Sequence, residues 1–303
     1  MAKQDFEILL YYKYTHIDDP EKLRDGQREI CEKLSLKGRI IVASEGINGT
    51  VEGLKDNVEE YMRVMNQESR FKDIDFKRSK GTGNAFSKLS VKARAEIVAA
   101  RLGEDDVDPS KLTGKYISAE ELHNLIHSDK EIYIVDMRNG FEQQSGYFRN
   151  SILTKMESFA DLPKVLPKIK SLKNKTVITV CTGGVRCEKA SGFLVSKGFK
   201  NVYQLLGGIV TYMEKYPNED FLGKLYVFDN RLTMAFNENS KKHVIVGRCE
   251  KCGKVSDEYV NCAEGFCHRH YILCKDCYHS SGRPFCNEEC YLKYLSYNPS
   301  SSL

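Results

Sequence analysis

The chain has 303 residues, 41% hydrophobic and 29% charged, with 14 Phe and 17 Tyr, a composition that fills ordinary cores and excludes global disorder. Its apolar runs, such as residues 8–12 and 177–180, fall far short of the roughly 20 residues that cross a bilayer, and Asp5 stands where a secretory leader would build its apolar core. The expectation is a cytoplasmic protein of about two domains, whose net charge of +4 does not by itself identify a nucleic-acid partner.

In chain order, residues 6–14 form a β-rich run, and Asp19-Pro20 supplies a cap and a first-turn proline for a helix with Leu23, Ile30, Cys31 and Leu34 inward. Residues 39–44 read as a second strand, Glu45-Gly46-Ile47-Asn48-Gly49 as a turn, and Thr50-Val51-Glu52 as the start of the return strand. Val58, Tyr61, Met62 and Met65 mark a second helix, followed by β or mixed segments at 74–76 and 89–98. The order βαββαβ predicts a ferredoxin-like, acylphosphatase-like α+β domain over residues 1–102. Between residues 70 and 101 lie nine Lys or Arg against three acids, a local +6 that exceeds the charge of the whole chain. Gly81-Thr82-Gly83 reads as a flexible loop in its middle, and Phe71, Phe76 and Phe86 are available for packing or base stacking. A solvated basic face and a nucleic-acid surface both fit that pattern.

Residues 103–114 read as a charged linker, and Ser118-Ala119-Glu120-Glu121 as a capping box that opens a helix with Leu122, Leu125 and Ile126 inward. Residues 132–135 and 177–180 are short apolar runs of the kind covered on both faces. Residues 115–224 are therefore expected to form an α/β domain with a mainly parallel sheet, whose ligands lie at the carboxyl ends of its strands.

The second of those strands runs straight into Cys181-Thr182-Gly183-Gly184-Val185-Arg186 and a helix with Ala190, Phe193 and Leu194 inward. A thiol so placed sits among backbone N–H groups at the positive end of a helix. With the cation of Arg186 nearby it is expected to ionise near neutral pH and to act as a nucleophile, its anionic states held by Arg186 and by the amides of Thr182, Gly183, Gly184 and Val185. Cys187, on the first turn of the helix, reads either as a resolving thiol or as a small packing residue.

Eight of the 11 cysteines fall in residues 225–303, as Cys249-x2-Cys252, Cys262-x4-Cys267, Cys274-x2-Cys277 and Cys286-x3-Cys290. In a reducing compartment such pairs favour metal over disulfides and provide ligands for two structural zinc ions, with Gly253 easing the first knuckle. The spacing leaves the pairing order open and allows His268, His270 or His279 to replace a thiolate. The region has too few large aliphatic residues to make a core unaided, so cross-links or docking must stabilise it.

The Cys181 loop, Asp136-Met137-Arg138, the acidic Glu142, Gly146-Tyr147-Phe148 and Gly207-Gly208-Ile209 together resemble the rhodanese family, with Tyr147 in place of the usual His. The Cys-x4-Arg spacing is that of its sulfur-sized cradle, whereas the related phosphatases use Cys-x5-Arg. With Glu45-Gly46-Ile47-Asn48-Gly49-Thr50 and the Cys-rich tail included, nearly the whole chain resembles the rhodanese-containing tRNA uridine hydroxylases. That resemblance implies a tRNA modification enzyme, an oxidoreductase that uses dioxygen as co-substrate to convert uridine 34 of the anticodon to 5-hydroxyuridine, with Cys181 catalytic and no organic cofactor evident. Asp136 and Arg138 are expected to hold the neighbouring loop, and, because the resemblance favours a tRNA surface over a solvated face for the basic segment, Lys77, Arg78, Lys80, Lys88 and Lys92 are expected to contact tRNA phosphates in the anticodon arm. The loop alone fits a persulfide sulfurtransferase as well, and a non-catalytic RNA- or protein-binding module is the third reading.

Overall fold

The computed structural model describes residues 5–298. Strands β1 (Phe6–Tyr14), β2 (Lys37–Ala43), β3 (Gly46–Leu54), β4 (Lys77–Lys80) and β5 (Leu89–Ala93) form one sheet in the order β4-β1-β3-β2-β5. Helices α1 (Pro20–Lys33) and α2 (Lys55–Gln67) pack on one face through Cys31, Val58, Tyr61 and Met65. This is the expected ferredoxin-like arrangement with one addition, since β5 pairs parallel with β2 and widens the sheet to five strands.

Two local expectations shift. The β2–β3 turn is only Ser44-Glu45, and Ile47, Asn48 and Gly49 lie inside β3. Gly49 is there for close packing, because a Cβ would lie 2.4 Å from the Tyr11 ring. The strand expected at residues 74–76 begins instead at Lys77, because Ile74 and Phe76 turn into the helix-side core before the chain reaches β1. The Gly81-Thr82-Gly83 loop is pinned, for the buried Glu52 carboxylate accepts the amides of Thr82, Gly83 and Ala85 at 2.7–2.8 Å.

The second sheet is fully parallel, in the order β6-β11-β10-β7-β9, built from β6 (Lys115–Ile117), β7 (Ile132–Asp136), β9 (Ile152–Leu153), β10 (Thr176–Val180) and β11 (Asn201–Leu205). Between these strands come α3 (Ala119–Ile126), α4 (Gly140–Gln143), β8 (Gly146–Phe148), α5 (Leu166–Ile169) and α6 (Val185–Ser196), and α7 (Gly208–Lys215) follows β11. Alternate residues feed two cores: Val135 and Val177 pack with Phe193 and Leu194 of α6, Ile134 and Ile178 with Leu122 of α3 and Ile209 of α7. Residues 186 to 194 are all buried, because α6 is held between its own sheet and the N-terminal sheet. The 103–114 segment is docked on this helix, with Val107 buried and Asp106 bonded to Lys189 at 2.9 Å.

Short strands complete the chain: β12 (Phe221–Gly223) pairs with β8, β13 (Leu225–Tyr226) with β14 (Thr233–Met234), and β15 (Tyr259–Asn261) with β16 (His270–Ile272), before α8 (Lys275–Ser281) and α9 (Glu288–Tyr297). The tail docks through Tyr259, whose hydroxyl donates to the Phe141 carbonyl at 2.5 Å, and through a cluster of Tyr226, Tyr259 and Ile272. Asn230 and Arg231 reach the other way, to Ala85, Ser79 and Lys80 of the first sheet. No helix among the described residues is long and apolar enough to cross a membrane.

Candidate active site

Cys181 follows the last residue of β10 and is fully buried, with the Gly184 amide donating to Sγ at 3.3 Å. Burial alone would raise its pKa. The Cys187 thiol, the positive charge of Arg186 and the amides of Cys187 and Gly184 outweigh that and bring it down to about 6. Burial pushes the Cys187 thiol up, and its hydrogen bond to Cys181 pushes it further, so it stays protonated as a donor.

Of the cradle residues, Gly184 has φ +104°, a conformation that favours glycine. A Cβ on Gly183 would meet Leu10 at 2.7 Å, and one on Gly184 the Tyr12 hydroxyl at 2.8 Å. Both glycines therefore let strand β1 of the other sheet close over the loop. Thr182 and Val185 line the same cleft as Cys181.

Arg186 is buried, but its fork is spent on Glu142, with Nη1–Oε1 at 2.5 Å and Nη2–Oε2 at 2.7 Å. It acts on the thiolate as a nearby charge, while its donors are held by the carboxylate. Arg138, fully buried, clamps Asp136 (Nη2–Oδ2 2.6 Å) and donates to the carbonyls of Gly146 (2.7 Å) and Glu142 (3.3 Å), which ties the α4–β8 turn to the end of β7.

The cleft holds about 500 Å³ and lies between the two sheets, lined on one side by Leu10, Tyr12, Asn48 and Thr50 and on the other by the Cys181 loop. Phe228, 46% exposed, forms part of its wall and carries Arg186 5.9 Å from its ring centre. Phe228 and Tyr12 escape any reading of local motifs, and the place of Asn48, from the Glu45–Thr50 motif, in this cleft does too, since all three come from elements far from Cys181 in the chain. The sheets are joined by the buried Glu188 carboxylate, which accepts Tyr12 Oη (3.0 Å), Tyr116 Oη (2.9 Å) and Gln204 Nε2 (3.0 Å). Beside it, the buried Lys189 ammonium binds Glu45 at 2.8 Å.

The basic residues are not one patch. Strands β4 and β5 occupy opposite edges of the sheet. Lys77 is nearly buried and paired with Asp75 at 2.9 Å, and Arg78 binds Glu7 and Glu59. Lys80, Lys88 and Lys92 are exposed. Phe71 and Phe86 are buried and Phe76 packs against the first core, so the three aromatics pack.

The eight tail cysteines gather into two all-cysteine groups, Cys249, Cys252, Cys274 and Cys277, and Cys262, Cys267, Cys286 and Cys290. The first pair joins the third and the second the fourth, an interleaved order. Sulfur separations of 3.6 Å for Cys252–Cys274, Cys267–Cys286 and Cys286–Cys290 fit the edge of about 3.8 Å that a tetrahedral zinc with bonds of about 2.3 Å requires. Neither group includes a histidine, and His270 is instead bonded to the Tyr226 hydroxyl.

An ionised cysteine at the carboxyl end of a central parallel strand, held by amides at a helix start, defines a rhodanese-type reactive loop. In agreement, residues 118–215 match the rhodanese-like domain model, residues 6–97 the UPF0176 acylphosphatase-like domain, and residues 222–291 the rhodanese C-terminal model. The chain is 42% identical to the tRNA uridine(34) hydroxylase of Cytophaga hutchinsonii, across 95% of this chain and 90% of that one. It is 43% identical to that of Bacillus licheniformis (95% and 89%) and 42% to that of Staphylococcus aureus (97% and 89%). The chain belongs to the tRNA uridine(34) hydroxylase family.

Proposed function

We propose that this chain hydroxylates uridine 34 of tRNA to 5-hydroxyuridine, with Cys181 as the nucleophile in the cleft between the two sheets. The observation that carries the reading is the juxtaposition of a thiol brought down to about pKa 6 with a cleft of about 500 Å³, large enough for a flipped-out base. Leu10, Ile41 and Phe228 supply apolar and aromatic surface for the ring. The anticodon loop is the natural donor of such a base, because its nucleotides unstack at lower cost than those of a duplex.

The Cys181 thiolate adds to C6 of the uracil ring, which places electron density at C5. C5 then takes one oxygen atom from a donor derived from dioxygen, the other atom leaves as water, and an external reductant supplies two electrons. Loss of the C5 proton and expulsion of the thiolate restore the ring. Arg186 keeps Cys181 ionised, Glu142 fixes Arg186, and Asp136 with Arg138 fixes the turn that carries Glu142. Cys187 donates to the sulfur. The residues divide into an RNA-binding unit at 1–102, the docked linker at 103–114, the catalytic unit at 115–224 and a tail at 225–303 held by two zinc ions, in a cytoplasmic enzyme.

Nucleoside mass spectrometry of tRNA from a deletion strain carrying the wild-type chain or Cys181→Ser tests the reading. Restoration of 5-hydroxyuridine by the wild-type chain alone is the expected result, and restoration by Cys181→Ser would remove the nucleophile assignment.

A further inference from the structure

We infer that the RNA flanking the target nucleotide runs across the β2–β5 half of the first sheet, in a groove lined by Arg39, Lys88, Lys92 and Arg94. This inference rests on the function proposed above and specifies where its substrate lies.

The register of the sheet sets the geometry. Leu10, Thr50, Arg39 and Ser90 are paired neighbours across β1, β3, β2 and β5, and so are Tyr12, Asn48, Ile41 and Lys92. Paired residues share a face, and this is the face opposite α1 and α2, since Ile40, Val42 and Val91 fill the helix-side core. The Cys181 loop roofs its β1 half, where Gly183 meets Leu10 and Gly184 meets Tyr12. The β2–β5 half continues beyond that roof as a groove of about 460 Å³. Arg39, Ile41 and Phe86 line both the groove and the Cys181 cleft, so the two spaces are continuous.

Along β5 the alternation is strict. Lys88, Ser90, Lys92 and Arg94 line the groove while Leu89 and Val91 face the helices. No carboxylate lines this groove, and Arg39, Lys88, Lys92 and Arg94 are exposed and without an ion pair among the described residues. On the opposite edge, by contrast, Arg78 is committed to Glu7 and Glu59, and Lys77 to Asp75. Four unneutralised cations spaced along an open strip that ends at a nucleophile suit a polyanion whose one reacting unit enters the cleft.

The test measures binding of an anticodon stem-loop RNA by fluorescence anisotropy at several salt concentrations, using the full chain. The triple variant Lys88→Gln/Lys92→Gln/Arg94→Gln, which leaves the lining of the Cys181 cleft intact, should bind at least tenfold more weakly, with a log–log salt slope flattened by about 2–3, at roughly 0.7–0.9 for each phosphate left without its cation. Alkylation of Cys181 by a small electrophile should keep its wild-type rate. Lys130→Gln/Lys170→Gln/Lys200→Gln removes the same charge from exposed sites elsewhere and should bind within twofold of wild type. Wild-type affinity and slope in the groove variant, from a chain that still makes 5-hydroxyuridine, would overturn the groove and leave the function standing. Loss of binding in Arg78→Gln/Lys80→Gln, with the groove variant unaffected, would move the path to the β4 edge and also overturn it. A wild-type chain that neither binds this RNA nor modifies tRNA would overturn both readings.

Discussion

At the scale of single residues, buried thiols are treated differently by their surroundings. Burial pushes Cys31 up to about 12 with no compensating cation, whereas Cys181 is brought down to about 6 by the Cys187 thiol, Arg186 and two amides acting against burial. Alkylation of Cys181 by iodoacetamide should therefore be half-maximal near pH 6 and fall as the pH drops below it. Cys187→Ala, which removes a donor to the thiolate, should move that midpoint upward. Because the folded pKa lies below the unfolded one, the thiolate's contribution to stability is complete above about pH 8.5 and is lost as pH falls through about 6. Arg186 depends in turn on Glu142, and removing one partner of a buried pair strands the other charge. Glu142→Gln should cost about 3–5 kcal/mol in urea denaturation. Cys181 and Arg186 were legible in six consecutive letters, but the partnership with Glu142 spans 44 residues and no local pattern pairs them.

At the scale of elements, the strands and helices followed from periodicity wherever one face is apolar, as in α2 and in the doubly covered β7 and β10. Glycines are the exception. Gly46 and Gly49 look like turn residues yet sit in β3, because what they provide is close approach to Lys13 and Tyr11 on the neighbouring strand. Gly208 is a second case of contact at a distance, with φ +72° and a virtual Cβ 2.7 Å from the Gly183 and Gly184 backbone. Gly208→Ala should therefore displace the Cys181 cradle, raise the alkylation midpoint and lower the melting temperature. A variant unchanged in all three would show that the cradle holds its shape without this packing. Strand β5 was visible as a β segment, but its parallel pairing with β2 depends on a sheet edge that no linear pattern reveals.

At the scale of the whole molecule, the cleft exists because two sheets meet across α6. Lys189, with no exposed side-chain surface, bridges Glu45 of the first sheet and Asp106 of the docked linker. Lys189→Met keeps the stem and removes the charge, leaving both carboxylates partly buried and unpaired. Calorimetry should then show the single unfolding transition splitting in two, with turnover on tRNA reduced about tenfold as the cleft loosens. The tail adds a second constraint, as residues 225–234 touch both sheets and lead into the interleaved cysteine groups. Elemental analysis should find about two zinc ions per chain, and chelation should lower the melting temperature without changing the Cys181 alkylation rate.

The sequence by itself determined the chemistry that depends on near neighbours: a thiol followed by two glycines and an arginine, four close cysteine pairs, and apolar runs short enough and continuous enough to be central strands. These are set by bond geometry and local periodicity, which act over a few residues. Only the tertiary structure decided which cysteine pairs share a site, that the basic segment divides between opposite sheet edges, that Arg186 is paired with Glu142, and that β1 closes over the Cys181 loop. Each of these is a choice among distant partners, made by the burial of whole faces and by the need to pair every buried charge.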